Sequence, residues 1–146
     1  TWVEETARYA PAVVHSYGPL RASLGREPAE HEARVTVLAM IETARGLSAL
    51  DEICAVGGLS GVYVGPADLA LSLGHSPAEA WTAPAVRDAI TRIQSTAATA
   101  GLLTGVHAGA STSAKAMAQA GFRMLTLASE SQALRRGAAD YLREAQ

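Results

Sequence analysis

Four sites in the sequence combine a polar side chain with the end of a short apolar run. They are Glu42, Asp68, His107 and the Ser129–Glu130 pair. In a parallel α/β sheet, ligands bind at the edge where the strands end, so these sites are the first candidates for chemistry. Glu42 and Asp68 close consecutive runs, and two carboxylates that converge there suit Mg²⁺ or Mn²⁺. A simpler interpretation also fits, in which Glu42 caps the next helix and Asp68 caps its own turn.

A turn that contains glycine and proline leads to the second carboxylate. Gly65 allows the backbone to approach a ligand closely, and Pro66 fixes the turn without a competing N–H group. The amides of Ala67 and Asp68 would then point at a carboxylate ligand from the start of a helix. An ordinary strand-to-helix turn fits this segment nearly as well.

Short apolar runs alternate with amphipathic segments along the chain. Each run is typical of a strand buried on both faces. The predicted strands cover residues 35–41, 62–64, 102–106 and 122–127. Helical spacing predicts helices over 1–9, 46–58, 84–100, 111–121 and 130–144. The apolar residues predicted to face inward in the last helix are Leu134, Ala138, Tyr141 and Leu142. Strands that alternate with helices predict parallel crossovers, in either an open doubly wound sheet or half of an eight-stranded barrel.

Composition places the chain among globular proteins. It has 146 residues, of which 49% are hydrophobic and 18% charged, and a formal net charge of −2. Without a Lys/Arg cluster or an apolar run of about 20 residues, we expect no nucleic-acid partner and no membrane span. Cys54 is the only cysteine, which excludes an internal disulfide and a cysteine-based zinc site. The first residues lack signal-peptide features, so we expect a cytoplasmic domain.

Residues 35–74 closely resemble the HpcH/HpaI aldolase family, the metal-dependent class II pyruvate aldolases. The shared pattern comprises Ile-Glu-Thr-Ala, Leu-Asp-Glu-Ile, Gly-Val-Tyr-Val-Gly-Pro-Ala-Asp-Leu and Ser-Leu-Gly, in this order. The similarity continues through 82–93 (TAPAVRDAITRI) and 121–130 (GFRMLTLASE). The Gly-Pro-Ala-Asp-Leu segment favours this family over the citrate-lyase-β and malyl-CoA-lyase group, whose members also carry paired acidic ligands.

The resemblance implies a TIM (β/α)₈ barrel, of which residues 1–146 would form one partial domain. This domain would supply strands five to eight, the C-terminal half, with a preceding helix and loop. Glu42 and Asp68 would bind Mg²⁺ or Mn²⁺, with Co²⁺ as a further possibility, and the metal would hold pyruvate. The amides of Ala67 and Asp68, in the turn begun by Gly65 and Pro66, would support the pyruvate carboxylate. His107 could contact the aldehyde portion of the substrate.

The implied reaction is cleavage of a 2-keto-3-deoxy or 4-hydroxy-2-oxo acid to pyruvate and an aldehyde, through a metal-stabilised enolate. No Schiff-base lysine is needed, and Lys115, the only lysine, lies in a predicted helix. The family's general-base His and substrate-contacting Arg belong to the first half of the barrel, so no catalytic residue is assigned in this chain.

Four positions depart from the family pattern. Ala10, Val13 and His15 replace a family Pro, Gly and Arg. Met40 stands where some members place a substrate-contacting Gln. A (β/α)₈ barrel needs about 200–250 residues. We therefore expect a missing N-terminal half-barrel or a homo-oligomer. A catalytically inactive fragment or assembly module of the same fold, and an acyl-CoA lyase, are the alternatives.

Overall fold

The computed structural model describes residues 35–109 and 111–146, and the helix predicted over 1–9 lies outside these ranges. The described elements alternate between strands and helices. In chain order they are β1 (Leu38–Ile41), α1 (Ala44–Ser48), α2 (Leu50–Cys54), β2 (Gly61–Val64), α3 (Pro66–Ser72), a 3₁₀ turn (Pro77–Glu79), α4 (Pro84–Thr99), β3 (Leu103–His107), α5 (Ser111–Gln119), β4 (Met124–Thr126) and α6 (Glu130–Glu144). None of these helices is both long and apolar enough to cross a bilayer.

The four strands form one parallel sheet in the order β1-β2-β3-β4. Successive side chains of a strand point to opposite faces, so residues in register share a face. Val64 and Val106 are in register and fully buried, on the face that the helices cover. The opposite face is open in the described part of the chain, where Met40 is 56% exposed and Met124 43%. The strands are therefore buried on one face only in the described part of the chain, and the open face would be the interior of a closed barrel.

Helix α4 supplies much of the core above the sheet. Val86, Ile90, Ile93 and Ala97 are buried along it, as the spacing predicts. Pro84 occupies the first turn, where its missing N–H group removes no helical bond. Ala83 is the cap residue and makes no side-chain cap bond.

The helix predicted over 46–58 is interrupted. The chain forms α1 and α2 instead, and Ala49 lies between them with φ −91° and ψ 12°. The amide of Ala49 donates a hydrogen bond to the carbonyl of Arg45 at the end of α1. The amide of Ile53 donates to the carbonyl of Ala49. Leu50 and Cys54 are buried, so the predicted apolar face is confirmed although the axis is broken.

Helix α6 presents its apolar face to solvent. Leu134 and Tyr141 are each 76% exposed, and Leu142 is exposed as well. The prediction that this face points inward is wrong, because no described element packs against it and the helix has no buried residue. Helical spacing identified an apolar face correctly but did not identify what covers it.

Candidate functional site

Glu42 directly follows β1 and is half-buried. The next residue, Thr43, is the cap of α1, and its Oγ1 accepts a hydrogen bond from the amide of Gly46 at 3.0 Å. The interpretation of Glu42 as the helix cap is therefore wrong. Its carboxylate remains available at the end of the strand.

Asp68 lies in the first turn of α3, after β2. Gly65 is the cap residue of this helix, and no side chain makes a cap bond. The interpretation of Asp68 as the cap of its own turn is therefore also wrong. The salt bridges among the described residues join Arg92 to Asp51 and Arg143 to Asp140, so neither Glu42 nor Asp68 pairs with a described cation.

The carboxylates of Glu42 and Asp68 approach the same point beside Gly65. A Cβ atom placed on Gly65 would lie 3.0 Å from Oε2 of Glu42 and 3.8 Å from Oδ2 of Asp68. Both oxygens thus lie within 4 Å of one point, although the residues are far apart in sequence. Gly65 lacks a side chain where the carboxylate of Glu42 passes over the backbone. The close approach of a ligand to this glycine stays a prediction.

The amides predicted to bind a carboxylate belong to the first turn of α3, the helix that Gly65 caps. Pro66 begins α3 and is buried, while Ala67 and Asp68 are exposed. First-turn amides of a helix have no intrahelical acceptor. The N–H groups of Ala67 and Asp68 are therefore the donors of this turn that a ligand could use.

His107 ends β3 on the same face of the sheet as Gly65. Val64 and Val106 are in register, and Gly65 and His107 are the residues that follow them. Neighbouring strands lie about 4.8 Å apart, so the backbone of His107 is roughly one strand spacing from Gly65. The imidazole is exposed.

The Ser129–Glu130 pair has a structural role instead. Oγ of Ser129 accepts from the amide of Gln132 at 3.3 Å, and the amide of Ser129 donates to Oε1 of Gln132 at 2.9 Å. This capping box starts α6. Glu130 lies exposed in the first turn of the same helix.

A polar contact across the open sheet face was not predicted from the sequence. The hydroxyl of Tyr63 donates to Oγ1 of Thr126 at 2.7 Å, so it joins β2 to β4 across β3. Gly105 makes this possible, because a Cβ there would lie only 2.7 Å from Cδ2 of Tyr63. The available signal was a glycine at the centre of an apolar strand, which often marks a close approach.

The donor set fits a hard divalent cation. Mg²⁺ and Mn²⁺ prefer oxygen ligands, and Mg²⁺ sites commonly use one or two carboxylates while water and substrate complete the shell. The paired oxygens of Glu42 and Asp68 match this pattern. Over residues 35–109 and 111–146, no group of three or more His, Cys, Asp or Glu residues forms a richer cage.

Comparison with known proteins identifies relatives of the chain. The sequence profile described as HpcH/HpaI aldolase/citrate lyase matches residues 3–137. A hydroxypyruvate/pyruvate aldolase of Rhizorhabdus wittichii is 38% identical over 123 residues, which are 82% of this chain and 49% of that protein. A 4-hydroxy-2-oxovalerate aldolase of Rhodococcus jostii is 41% identical over 111 residues, which are 72% of this chain and 43% of that protein. The chain thus spans about half the length of the curated relatives it matches.

A solved structure supports the same relationship. An HpcH/HpaI aldolase/citrate lyase family protein from Burkholderia cenocepacia matches with a TM-score of 0.79 at 29% identity. The match covers 95% of this chain and 57% of that one. Together with the four-stranded parallel sheet, it confirms the predicted α/β fold, in which the four strand units form part of a TIM barrel. The chain belongs to the HpcH/HpaI aldolase/citrate lyase family.

Proposed function

We propose that this chain supplies the metal and pyruvate site of an aldolase. The reaction would cleave a 4-hydroxy-2-oxo or 2-keto-3-deoxy acid to pyruvate and an aldehyde. The convergence of the Glu42 and Asp68 carboxylates beside Gly65 carries the proposal. The names of the relatives, hydroxypyruvate/pyruvate aldolase and 4-hydroxy-2-oxovalerate aldolase, support this substrate class.

Glu42 and Asp68 would hold Mg²⁺ or Mn²⁺, and Co²⁺ would fit the same two oxygen donors. When bound, such an ion supplies a Lewis acid that neutralises the negative charge developing as the carbon–carbon bond breaks. Lys115, the only lysine of this chain, is exposed on α5, a position that does not suit a Schiff base. A Schiff-base lysine would instead be desolvated beside the substrate.

The remaining residues of the site would orient the substrate. The amides of Ala67 and Asp68 would donate to the pyruvate carboxylate, and Gly65 and Pro66 would hold that turn against it. His107, one strand away, would contact the aldehyde portion. Proton transfer would fall to groups outside the four described strands, on the segments that complete the barrel.

Two exposed apolar surfaces support the proposal that this chain binds a partner. Met40 and Met124 are exposed on the sheet face that a barrel would enclose, and Leu134 and Tyr141 are exposed on α6. Such surfaces favour association with another protein surface. We propose a complementary half-barrel or a homo-oligomer as the partner, in the cytoplasm. The same surfaces would suit a catalytically inactive assembly module, which is the second candidate function.

Metal binding by the full 146-residue chain tests the proposal. We expect Mn²⁺ at 100 times its dissociation constant to stabilise the fold by about 2.7 kcal/mol, because it binds only the native state. For a domain of this size that raises the melting temperature by about 5–10 °C. Glu42→Gln and Asp68→Asn should each abolish the shift. Glu52→Gln, which changes one exposed carboxylate on α2, is the matched control.

Pyruvate release separates the two candidate functions. Incubation with a 4-hydroxy-2-oxo acid and Mn²⁺ should release pyruvate once the open sheet face is covered by its partner, and Asp68→Asn should stop the release. A metal shift that survives both Glu42→Gln and Asp68→Asn would refute the site. A normal metal shift without turnover in the assembled protein would favour the assembly module.

A further inference from the structure

One hydrogen bond links α3, the helix that carries Asp68, to the start of α1, just after Glu42. The amide of Ala44 donates to Oγ of Ser72 at 2.8 Å. Ala44 lies two residues after Glu42, and Ser72 lies one helical turn after Asp68. The bond therefore joins the two segments that carry the carboxylates.

The face of α3 explains how one helix reaches both groups. Residues four apart on a helix lie on the same face, one above the other. Asp68 and Ser72 have this spacing, so the face that presents a carboxylate beside Gly65 presents a hydroxyl one turn later. The hydroxyl meets the start of α1, immediately after Glu42.

The backbone hydrogen bonds between β1 and β2 hold the residues after Ile41 only weakly. The last paired residues of the two strands are Ile41 and Val64. The next bond, from the amide of Gly65 to the carbonyl of Ile41, is 3.4 Å long, beyond the usual range for N–H···O bonds. The hydrogen bond from Ala44 to Ser72 lies beyond the last strand pair and is shorter, at 2.8 Å.

We propose that Ser72 is a positioning residue that fixes Glu42 relative to Asp68 and thereby sets the metal affinity of the pair. The inference rests on the proposed function, because it treats both carboxylates as ligands. Groups that orient metal ligands typically change metal affinity 10- to 100-fold when they are removed. Because Ser72 is exposed, water would partly replace its hydrogen bond after a substitution. We therefore expect a change in metal affinity at the lower end of that range.

A purely structural role for Ser72 has a different signature. Ala44 is the first residue of α1, and its amide is one of the four that a helix leaves without an internal acceptor. If Ser72 only satisfied this amide, its loss would lower the melting temperature of the metal-free chain. The Mn²⁺ affinity measured well below that temperature would not change.

Free Mn²⁺, followed by electron paramagnetic resonance during titration of the full chain, gives the dissociation constant directly. Ser72→Ala should weaken Mn²⁺ binding about 10-fold, and Ser72→Thr, which keeps a hydroxyl, should restore it to within about two-fold of the original chain. Ser48→Ala is the matched control, because Oγ of Ser48 also bonds Ala44, at its carbonyl, but stays within α1. That control should leave the affinity unchanged.

A second variant removes the same bond from its other end. Ala44→Pro deletes the donor amide and keeps Ser72, and proline is tolerated at the first position of a helix. The preceding residue, Thr43, has φ −131° and ψ 153°, which proline permits in its neighbour. We expect the same weakening as for Ser72→Ala, and this variant decides the matter if Ser72→Ala does not fold.

The outcomes separate this inference from the proposed function. If Glu42→Gln and Asp68→Asn abolish Mn²⁺ binding but Ser72→Ala and Ala44→Pro leave it unchanged, the positioning role is overturned and the metal site stands. If Glu42→Gln and Asp68→Asn leave binding unchanged, the proposed function itself is overturned. Weakened binding in Ser72→Ala and Ala44→Pro, with recovery in Ser72→Thr, supports the positioning role.

Discussion

Substitution of Gly65 by alanine places a methyl group inside the candidate metal site. Its Cβ would lie 3.0 Å from Oε2 and 3.3 Å from Cβ of Glu42, and 3.8 Å from Oδ2 of Asp68. Ordinary van der Waals contacts between such atoms begin near 3.4 Å, so the side chain of Glu42 must move by a few tenths of an ångström. The backbone itself tolerates alanine, because Gly65 has φ −100° and ψ 91°.

The size of the effect follows from how strictly a metal site fixes its ligands. Metal–oxygen distances vary by only about 0.2 Å, which is less than the displacement that Glu42 must make. Loss of correct ligand placement typically weakens metal binding 10- to 100-fold, or about 1.4–2.7 kcal/mol. Replacing glycine by alanine at a compatible φ and ψ stabilises a fold by about 0.4–1 kcal/mol, which offsets the local contact in the metal-free chain. We therefore expect lost metal affinity without lost stability.

Calorimetric titration with Mn²⁺ and thermal melting in a chelator separate these two quantities. Gly57→Ala is the matched control, because a Cβ at Gly57 would meet no atom within 4 Å. The control should bind Mn²⁺ like the original chain. Unchanged Mn²⁺ affinity in Gly65→Ala would refute the assignment of this point as the metal site. A large fall in the metal-free melting temperature would show instead that the methyl group disturbs the fold.

Three further predictions concern the sheet and its core. Gly105→Ala should lower the free energy of unfolding in urea by about 1–3 kcal/mol, because the added methyl group overlaps the ring of Tyr63. Tyr63→Phe should lower it by about 0.5–1.5 kcal/mol, since the bond to Thr126 is lost. Burial, and secondarily the charge of Asp51, raises the pKa of the Cys54 thiol above its usual 9.0. The folded pKa therefore lies above the unfolded one. The thiol leaves the free energy of unfolding at its full value below about pH 9, and this free energy falls as pH rises through the folded pKa. Urea titrations at several pH values should show this alkaline loss, and Cys54→Ala should remove it.

The strands and the order of the fold were predictable because buried parallel strands are continuous apolar runs. Each observed strand lies at or within one residue of a predicted run, although β1 begins at Leu38 rather than at residue 35. The break at Ala49 was not predictable, because Leu47, Leu50, Ile53 and Cys54 keep helical spacing across it. The exposure of Leu134 and Tyr141 was missed because an amphipathic pattern identifies an apolar face but not its covering partner.

The candidate site was predictable at the level of residue type and strand order. Glu42 and Asp68 follow consecutive strands, and adjacent parallel strands bring such residues to one edge of the sheet. The role of Ser72 was not predictable, because a serine on an exposed helix face carries no periodic signal and its partner is a backbone amide 28 residues away. The contact between Tyr63 and Thr126 depends on register across three strands, which a single sequence does not specify.

The proposed metal binding and the proposed turnover require different parts of the protein. Glu42, Gly65, Asp68 and Ser72 all belong to β1, β2, α3 and the turns that follow the two strands, so their contacts form within one compact part of the chain. The open sheet face around Met40 requires a covering surface before a substrate is shielded from water. The proposed metal site would therefore form wherever this unit folds, whereas the proposed catalysis would need the enclosed barrel. Covering the sheet face should accordingly raise turnover by much more than it raises Mn²⁺ affinity, and an equal rise in both would show that the metal site extends beyond this unit.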